Sequence, residues 1–396
     1  MPEWKITNWA QGFAAAAALV VLPGCASAPQ KTATGNAMVD GPSAIEKGPA
    51  RDRILWQYRT AAAALRQGRF DLARQHLEDA HLRLQGVFGP DSEARKARGY
   101  FHAESRKTFI GEPYERSMAY IYLGLLYWMG GEADNARACF RSAEFEDSDP
   151  ENHTYAGDWV LADYLDGLIT EKLGGDGSDA LKRAQAATKN VLSPAYNHKA
   201  NLHCFVEFGP GPNKSATGRY GEELRFIVPE SPVATAEIQS DDLEALLTPL
   251  DDVGFQAQTR GGRVMDHVLA NKAVFKSGTD IAGDVALAGG LGTVLLSNNG
   301  TGREIGAGIA LAGLIAKGIS AATKPEADVR AWDNLPRYLC FASFELGSGP
   351  HTITIKFRNG SGVELPGLTK RFTVNIPNNK ETVVFVSDQS VTPQNI

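Results

Sequence analysis

Few residues of this 396-residue chain have the types and spacing that acid–base, metal or phosphate chemistry requires. Asp266 and His267 could exchange a proton, but adjacent residues on a helix point in different directions and no nucleophile sits at a readable spacing. His76 and His81 are the best candidate metal ligands, yet a spacing of five places them on different helix faces. We therefore expect no catalytic residue, no metal site and no enzyme activity.

A glycine-rich stretch at 209–215, GPGPNKS, offers a possible phosphate-binding loop because Lys214 is followed by Ser215. Pro210 and Pro212 lack the backbone N–H groups that such a loop would direct at a phosphate. The stretch therefore predicts a turn between two strands and no nucleotide cofactor. The mild net charge of −6 also gives no reason to expect a nucleic acid partner.

The cysteine at position 25 follows an apolar run that has the length of a secretory signal. GFAAAAALVVL, residues 12–22, is shorter than the roughly 20 residues that span a bilayer. Leu22 and Gly24 before Cys25 resemble the lipobox of bacterial lipoproteins. The resemblance implies that residues 1–24 are a signal peptide and that Cys25 carries a diacylglycerol group and acyl chains. An ordinary secretory signal cut near ASA, with Cys25 incidental, is the alternative.

The residues around the cleavage site suggest where the protein is held. The residue after Cys25 is Ala26, whereas lipoproteins that stay in the inner membrane have Asp at this position. The resemblance therefore implies that the protein is anchored at the periplasmic face of the outer membrane. Residues 25–50 are small, polar and rich in Pro and Gly, which predicts a flexible linker. Cys139, Cys204 and Cys340 each lie among apolar residues, which favours buried thiols over a disulfide framework.

Residues 51–192 contain a repeated helical pattern. In YLGLLYWMGGEADNARACFRSA, Gly124 and Ala136 allow two antiparallel helices to approach, and Phe140 fills the space around their contact. The spacing resembles the tetratricopeptide repeat. Similar units place a turn at Gly68 before Ala73, Leu77 and Ala80, and a turn at Gly175 before Ala180, Ala184 and Ala187. Three units are the minimum that such an array needs to bury its faces.

An insertion between the first two units reads AESRKTFIGEPYERSMAY, with Pro113 at a helix N-terminus. Together with the repeat that follows, and with DVRAWDNLP at 328–336, it resembles a family of bacterial lipoproteins with tetratricopeptide-like helices and no assigned activity. Helical arrays of this kind present concave surfaces that bind peptides or proteins. We take Glu112, Tyr114 and Arg116 as candidate partner-binding residues; the alternative is a helical domain that only supports its neighbours.

The remainder of the chain predicts a mixed α/β region at 193–325 and a small antiparallel β-sandwich at 326–396. The segment 281–322 is apolar and glycine-rich, and Asp284 and Lys317 make buried helix a better interpretation than a membrane hairpin. In HTITIKF, strict alternation places Ile353, Ile355 and Phe357 on one face of a strand.

These observations predict a multidomain α+β protein, lipid-anchored in the cell envelope, that acts as a protein interaction scaffold. The alternative function is a membrane-inserting or pore-associated component that uses residues 281–322.

Overall fold

The computed structural model describes residues 33–88, 107–148, 157–241, 243–260, 327–378 and 380–391, which have an α+β fold with several sheets. The helices in these ranges are α1 Ala37–Lys47, α2 Arg53–Arg66, α3 Phe70–Phe88, α4 Pro113–Met129, α5 Ala133–Ser148, α6 Val160–Lys172, α7 Ser178–Ala187 and α8 Val253–Arg260. The strands are β1 Leu202–Pro210, β2 Asn213–Thr217, β3 Glu223–Ile227, β4 Thr235–Ser240, β5 Leu243–Leu247, β6 Asp251–Asp252, β7 Pro336–Phe344, β8 Gly349–Arg358, β9 Lys370–Ile376 and β10 Thr382–Ser387.

Three helix pairs, α2–α3, α4–α5 and α6–α7, are each joined by a turn with the same geometry. The turn glycine has φ of 68° at Gly68, 78° at Gly131 and 81° at Gly174. At each turn the glycine N–H donates to the carbonyl three residues back, and the next N–H donates to the carbonyl five residues back. This is the Schellman arrangement, which caps the last carbonyls of the first helix and requires a left-handed residue.

The third turn lies one residue earlier than the sequence spacing predicts. Gly174, and not Gly175, takes the left-handed conformation, and α7 begins at Ser178. Close packing is still achieved by a glycine, because an ideal Cβ built on Gly167 would lie 2.6 Å from the Leu181 side chain. The third pair therefore keeps the close helix approach although five residues connect its helices, against three in each of the other two pairs.

The predicted contact within the second pair is confirmed. An ideal Cβ on Gly124 would lie 2.9 Å from the Phe140 ring and 3.2 Å from the carbonyl oxygen of Ala136. Ala136, Phe140 and Ala143 have no exposed surface. In the first pair, Ala73, Leu77 and Ala80 are buried in the same way.

Two four-stranded sheets and one hairpin make up the β structure of the described residues. The first sheet has the order β10-β1-β7-β6, in which β1 runs parallel to β10 and antiparallel to β7. The second sheet has the order β5-β4-β8-β9 and is antiparallel throughout. Strands β2 and β3 form a separate hairpin.

The first sheet is a central layer with helices on one face and the second sheet on the other. Phe205 and Phe385 face the helices and join their core, whereas Cys204 and Val206 face the second sheet. Strand β1 is consequently buried along nearly all of its length, as its mostly apolar sequence predicts. Ile353, Ile355 and Phe357 share the inner face of the second sheet, as predicted, with no exposed surface.

The strand pairings cross the expected boundary between residues 325 and 326. Strand β1 precedes that boundary and lies between β7 and β10, which follow it. Strand β4 likewise pairs with β8. A separate β-sandwich at 326–396 is therefore wrong, because its strands complete sheets that begin in the preceding region. Alternation within a strand predicts its buried face but not its neighbour.

Part of the expected flexible linker is helical. In α1 the side chain of Asn36 accepts a hydrogen bond from the Met38 N–H and caps the helix. Gly41 lies so close to Thr60 of α2 that an ideal Cβ would be 2.1 Å from the threonine hydroxyl. This contact anchors α1 against the first helix pair, so residues 37–47 are not a free linker. Residues 25–32 lie outside the described residues.

Within the described ranges, no helix is long and apolar enough to cross a membrane. The segments on which the signal peptide, Cys25, the Asp266–His267 pair and the glycine-rich stretch 281–322 were predicted lie outside the described residues.

Candidate functional site

Three segments that were singled out in the sequence meet around the Glu115 side chain. They are FIGEPYER at 109–116, GPGPNK at 209–214 and DVRAWDNLP at 328–336. Glu115 joins them: its Oε2 accepts from Lys214 Nζ at 2.7 Å, and its Oε1 accepts from the Trp332 N–H at 2.7 Å. Its Oε2 also accepts from the Glu112 N–H at 2.7 Å, which fixes the first turn of α4.

The Lys214–Glu115 pair has almost no contact with solvent. The Lys214 side chain is 1% exposed and that of Glu115 is fully buried. Lys214 Nζ also donates to the Arg330 carbonyl at 3.1 Å and lies 3.5 Å from Glu112 Oε1. Burial alone lowers the pKa of Lys214, but Glu115 and Glu112 outweigh it and the pKa lies above its ordinary value. Lys214 is therefore a charged anchor between the β2–β3 hairpin and α4.

Trp332 and Arg330 fasten the segment after residue 327 to the helices. The Trp332 ring stacks on Tyr58 of α2 at 4.5 Å and meets the edge of Tyr122 of α4 at 5.9 Å. Arg330 binds Asp328 and Asp52, at 2.6 and 2.7 Å. Ring packing of Trp332 and the Arg330–Asp52 ion pair thus hold the segment against the helices.

A charged cleft of about 310 Å³ opens beside this junction. Arg59 lies at its rim, over the Trp56 ring at 5.1 Å, and pairs with Asp333 at 2.8 Å. Lys214 and Arg330 line it as well. Each of these three cations already binds a carboxylate of the protein, so the cleft is better suited to joining elements than to holding an anion.

A second buried network links the helices to the central sheet. Glu207 of β1 accepts from Arg66 Nε at 2.7 Å and from the Tyr122 hydroxyl. Burial and the neighbouring Glu207 raise the pKa of Tyr122 well above its ordinary value, so the hydroxyl stays protonated and donates. Sequence reasoning missed Glu207. Glu207 could have been found because it is the one charged residue in the mostly apolar run LHCFVEF, and a charge buried in a strand needs a partner.

A larger cleft, of about 480 Å³, lies between α3, α4 and α5. We call it the outer cleft, because α2, α4 and α6 contact the strands of the first sheet and α3 and α5 pack outside them. The Tyr120 hydroxyl hydrogen-bonds with His81 Nδ1 at 2.8 Å across it. Arg116 pairs with Glu146 at 2.5 Å, and the Phe145 side chain at the rim is 71% exposed. The lining residues used below are His81, Gln85, Arg116, Tyr120, Arg141 and Phe145.

The three candidate partner-binding residues lie in different environments. Tyr114 is 1% exposed, and its ring packs edge-on against Phe226 of β3 at 5.7 Å. Glu112 belongs to the Lys214 junction. Arg116 is largely buried but reaches the lining of the outer cleft. The structure does not bring the three together on one surface, and Tyr114 belongs to the core.

Among the described residues, no group of three or more His, Cys, Asp or Glu side chains could hold a metal ion. His81 hydrogen-bonds with Tyr120 and Gln85, and burial lowers its pKa. Cys139, Cys204 and Cys340 are buried free thiols.

Comparison with known proteins gave no match: no family model, no curated protein and no solved structure is similar to the chain.

Proposed function

We propose that this protein is a lipid-anchored component of the bacterial cell envelope that binds another protein or peptide through its helical layer. The observation that carries the binding role is the outer cleft. It combines an exposed phenyl ring, Phe145, with hydrogen-bonding side chains held in place by ion pairs and by the His81–Tyr120 contact. Aromatic anchors beside ordered polar groups are typical of protein interaction surfaces.

The three helix pairs are, in this proposal, tetratricopeptide-like repeats. Their shared turn geometry and the glycine contacts of the second and third pairs support this assignment. Such arrays bind their partners on extended concave surfaces. Here α2, α4 and α6 pack on the first sheet, so a partner would bind instead at the outer cleft, between α3, α4 and α5. The helical repeats and the two sheets act as one unit, with the sheets as the support of the helical layer.

The anchor is the second part of the proposal. The apolar run before Cys25 and the lipobox-like residues around it support export and acylation. Acyl chains then hold the protein at a membrane, at the periplasmic face of the outer membrane on the evidence of Ala26, and several chains hold more firmly than one. Confinement to a surface raises the effective concentration of a partner on the same membrane.

Site-specific photocrosslinking in cells tests the binding role. A photoreactive residue at Gln85, in the outer cleft, should crosslink a defined envelope protein, and the same residue at Thr373 of β9 should not. Thr373 is exposed on the opposite side of the first sheet from the helices and is the positional control.

A surface variant decides whether a crosslink reports the cleft. Phe145→Asp should abolish the Gln85 crosslink without unfolding the protein, because an exposed ring contributes little to stability. Equal crosslinking at Gln85 and Thr373, or a Gln85 crosslink that survives Phe145→Asp, would contradict the proposal.

A further inference from the structure

Three carboxylates gather where the second helix pair meets the third. Glu144 lies on α5, and Asp163 and Asp166 lie on α6. Their side chains are 21%, 2% and 5% exposed. Like charges this close in a poorly hydrated site repel strongly, so the cluster needs compensating groups.

Two arginines supply part of that compensation. Arg183 of α7 binds Asp163 Oδ1 at 2.6 Å and Glu144 Oε2 at 3.1 Å through the same Nη2 atom. Arg141 of α5 binds Asp166, whose Oδ1 also accepts from the Thr170 hydroxyl at 3.2 Å. Three carboxylates thus face two guanidinium groups. With every group ionised the cluster carries one uncompensated negative charge.

The geometry of Glu144 shows where one proton would remove that charge. Glu144 Oε2 and Asp163 Oδ1 both accept from Arg183 Nη2, which holds the two carboxyl groups next to each other, so one proton between them would neutralise the cluster. Glu144 Oε1 is buried and has no donor within hydrogen-bonding distance among the described groups. If Glu144 were ionised, this oxygen would carry negative charge with no hydrogen-bond donor, whereas a protonated Glu144 would be neutral.

We propose that a single proton shared by Glu144 and Asp163 controls how tightly α6 and α7 pack against α5. With the proton bound, the cluster is neutral and the helices close on one another. When the proton leaves, the extra negative charge pushes α5 and α6 apart at the point where the two helix pairs meet. The inference stands without the proposed binding role, although Arg141 belongs both to this cluster and to the outer cleft.

The raised pKa values of Glu144 and Asp163 determine whether the packing of α6 and α7 weakens or strengthens as the pH rises. Burial, followed by the charges of Asp163 and Asp166, raises the pKa of Glu144 from 4.5 to about 8, and burial raises the pKa of Asp163 too. A carboxyl whose folded pKa is raised contributes stability that is complete below the unfolded value. That contribution is lost as pH rises toward the folded value. Because the two groups are coupled, the transition belongs to the pair rather than to either residue.

Hydrogen exchange of the full chain tests this inference. After correction for intrinsic rates, amides of α6 and α7 should lose protection between about pH 5 and about pH 8, by up to about tenfold per pH unit, because one proton is involved. Glu144→Gln should flatten this dependence, since the amide cannot ionise. Asp179→Asn on α7, whose side chain is 90% exposed, is the matched control and should behave like the wild type.

Two results would overturn the inference: protection in α6 and α7 that does not change with pH in the wild type, or a dependence that persists in Glu144→Gln. Carboxyl carbon-13 titration of the wild type covers the case in which the variant does not fold. A Glu144 midpoint near the ordinary value of 4.5 would also overturn it, whereas a midpoint clearly above that value is expected.

Discussion

At the scale of single residues, this protein uses buried charges as joints between distant segments. Lys214 and Glu115 come from the β2–β3 hairpin and from α4, and Glu115 also holds the backbone of Trp332. A buried ion pair adds little net stability compared with apolar packing, but removing one partner leaves an unpaired charge. Such a pair therefore specifies which segments meet.

The Lys214 anchor gives a residue-scale prediction. Lys214→Met keeps most of the side-chain volume but leaves Glu115 and Glu112 without their cation. We expect the free energy of unfolding to fall by about 3–5 kcal/mol, the usual effect of breaking a buried pair. Chemical denaturation followed by circular dichroism measures it.

An exposed ion pair is the control for that measurement. Arg225 and Glu223 are 61% and 47% exposed and lie 2.6 Å apart on β3. Arg225→Ala should change the free energy of unfolding by about 1 kcal/mol or less. If both variants lose the same small amount, the Lys214–Glu115 pair is not a structural joint.

Residue-scale expectations succeeded where the contact is local. Gly124 and Ala136 were predicted to let their helices approach, with Phe140 around that contact, and the Cβ position of Gly124 does lie against the Phe140 ring and the Ala136 carbonyl. Tyr114 was taken as a surface residue, but it packs on Phe226, which is far away in the sequence. No pattern around Tyr114 reveals that partner, because helix periodicity fixes the direction of a side chain and not what it will meet.

At the scale of elements, the glycine contacts set the distance between paired helices. Gly124→Ala would force a methyl group against the Phe140 ring and the Ala136 carbonyl. Overpacking of a close contact costs about 1–3 kcal/mol, and we expect thermal unfolding to move to lower temperature accordingly. Gly360→Ala is the control, because no atom lies within 4 Å of its Cβ position and its φ is not left-handed. Unfolding temperatures that fall equally in both variants would show that the contact is not tight.

Helix pairs were easier to predict than sheets for a physical reason. A pair is fixed by a turn and by residues a few positions away, as at Gly68 and Gly131. The neighbours of β1 are strands that begin at Pro336 and Thr382, and alternation along β1 cannot name them. The prediction of a separate β-sandwich at 326–396 is wrong for that reason. The linker prediction is wrong for residues 37–47, because α1 depends on the contact of Gly41 with Thr60, which the local sequence does not reveal.

At the scale of the whole molecule, the helical layer of the described residues has one face against the first sheet and the outer cleft on the side away from it. The contacts of α2, α4 and α6 with the sheet occupy the surface that a peptide would otherwise use. This leaves the outer cleft as the surface of the helical layer on which a partner would act. The sequence predicted binding on a concave face of the repeats, because a repeat pattern does not show which element covers that face.

The proposed anchor gives a whole-molecule prediction. Cys25→Ala should abolish incorporation of a radiolabelled fatty acid and release the protein from the membrane fraction, because the acyl chains are removed. Lys47→Ala, on α1, is a control that keeps Cys25. Full labelling of Cys25→Ala would contradict acylation at that residue. An unlabelled variant that stays membrane-bound after a salt wash would instead favour the membrane-inserting function of residues 281–322.

The pairing of β1 with β7 and β10 also constrains when the molecule can fold. A nascent chain that has reached residue 335 contains β1 but neither of the strands that flank it. Contacts between such distant segments form slowly, and unpaired strand edges are prone to aggregate. Until β7 and β10 have been synthesised, the mostly apolar residues 202–210 have neither of the strands that pair with them in the folded protein. The interval before β10 emerges is the one in which a chaperone has a defined segment to protect.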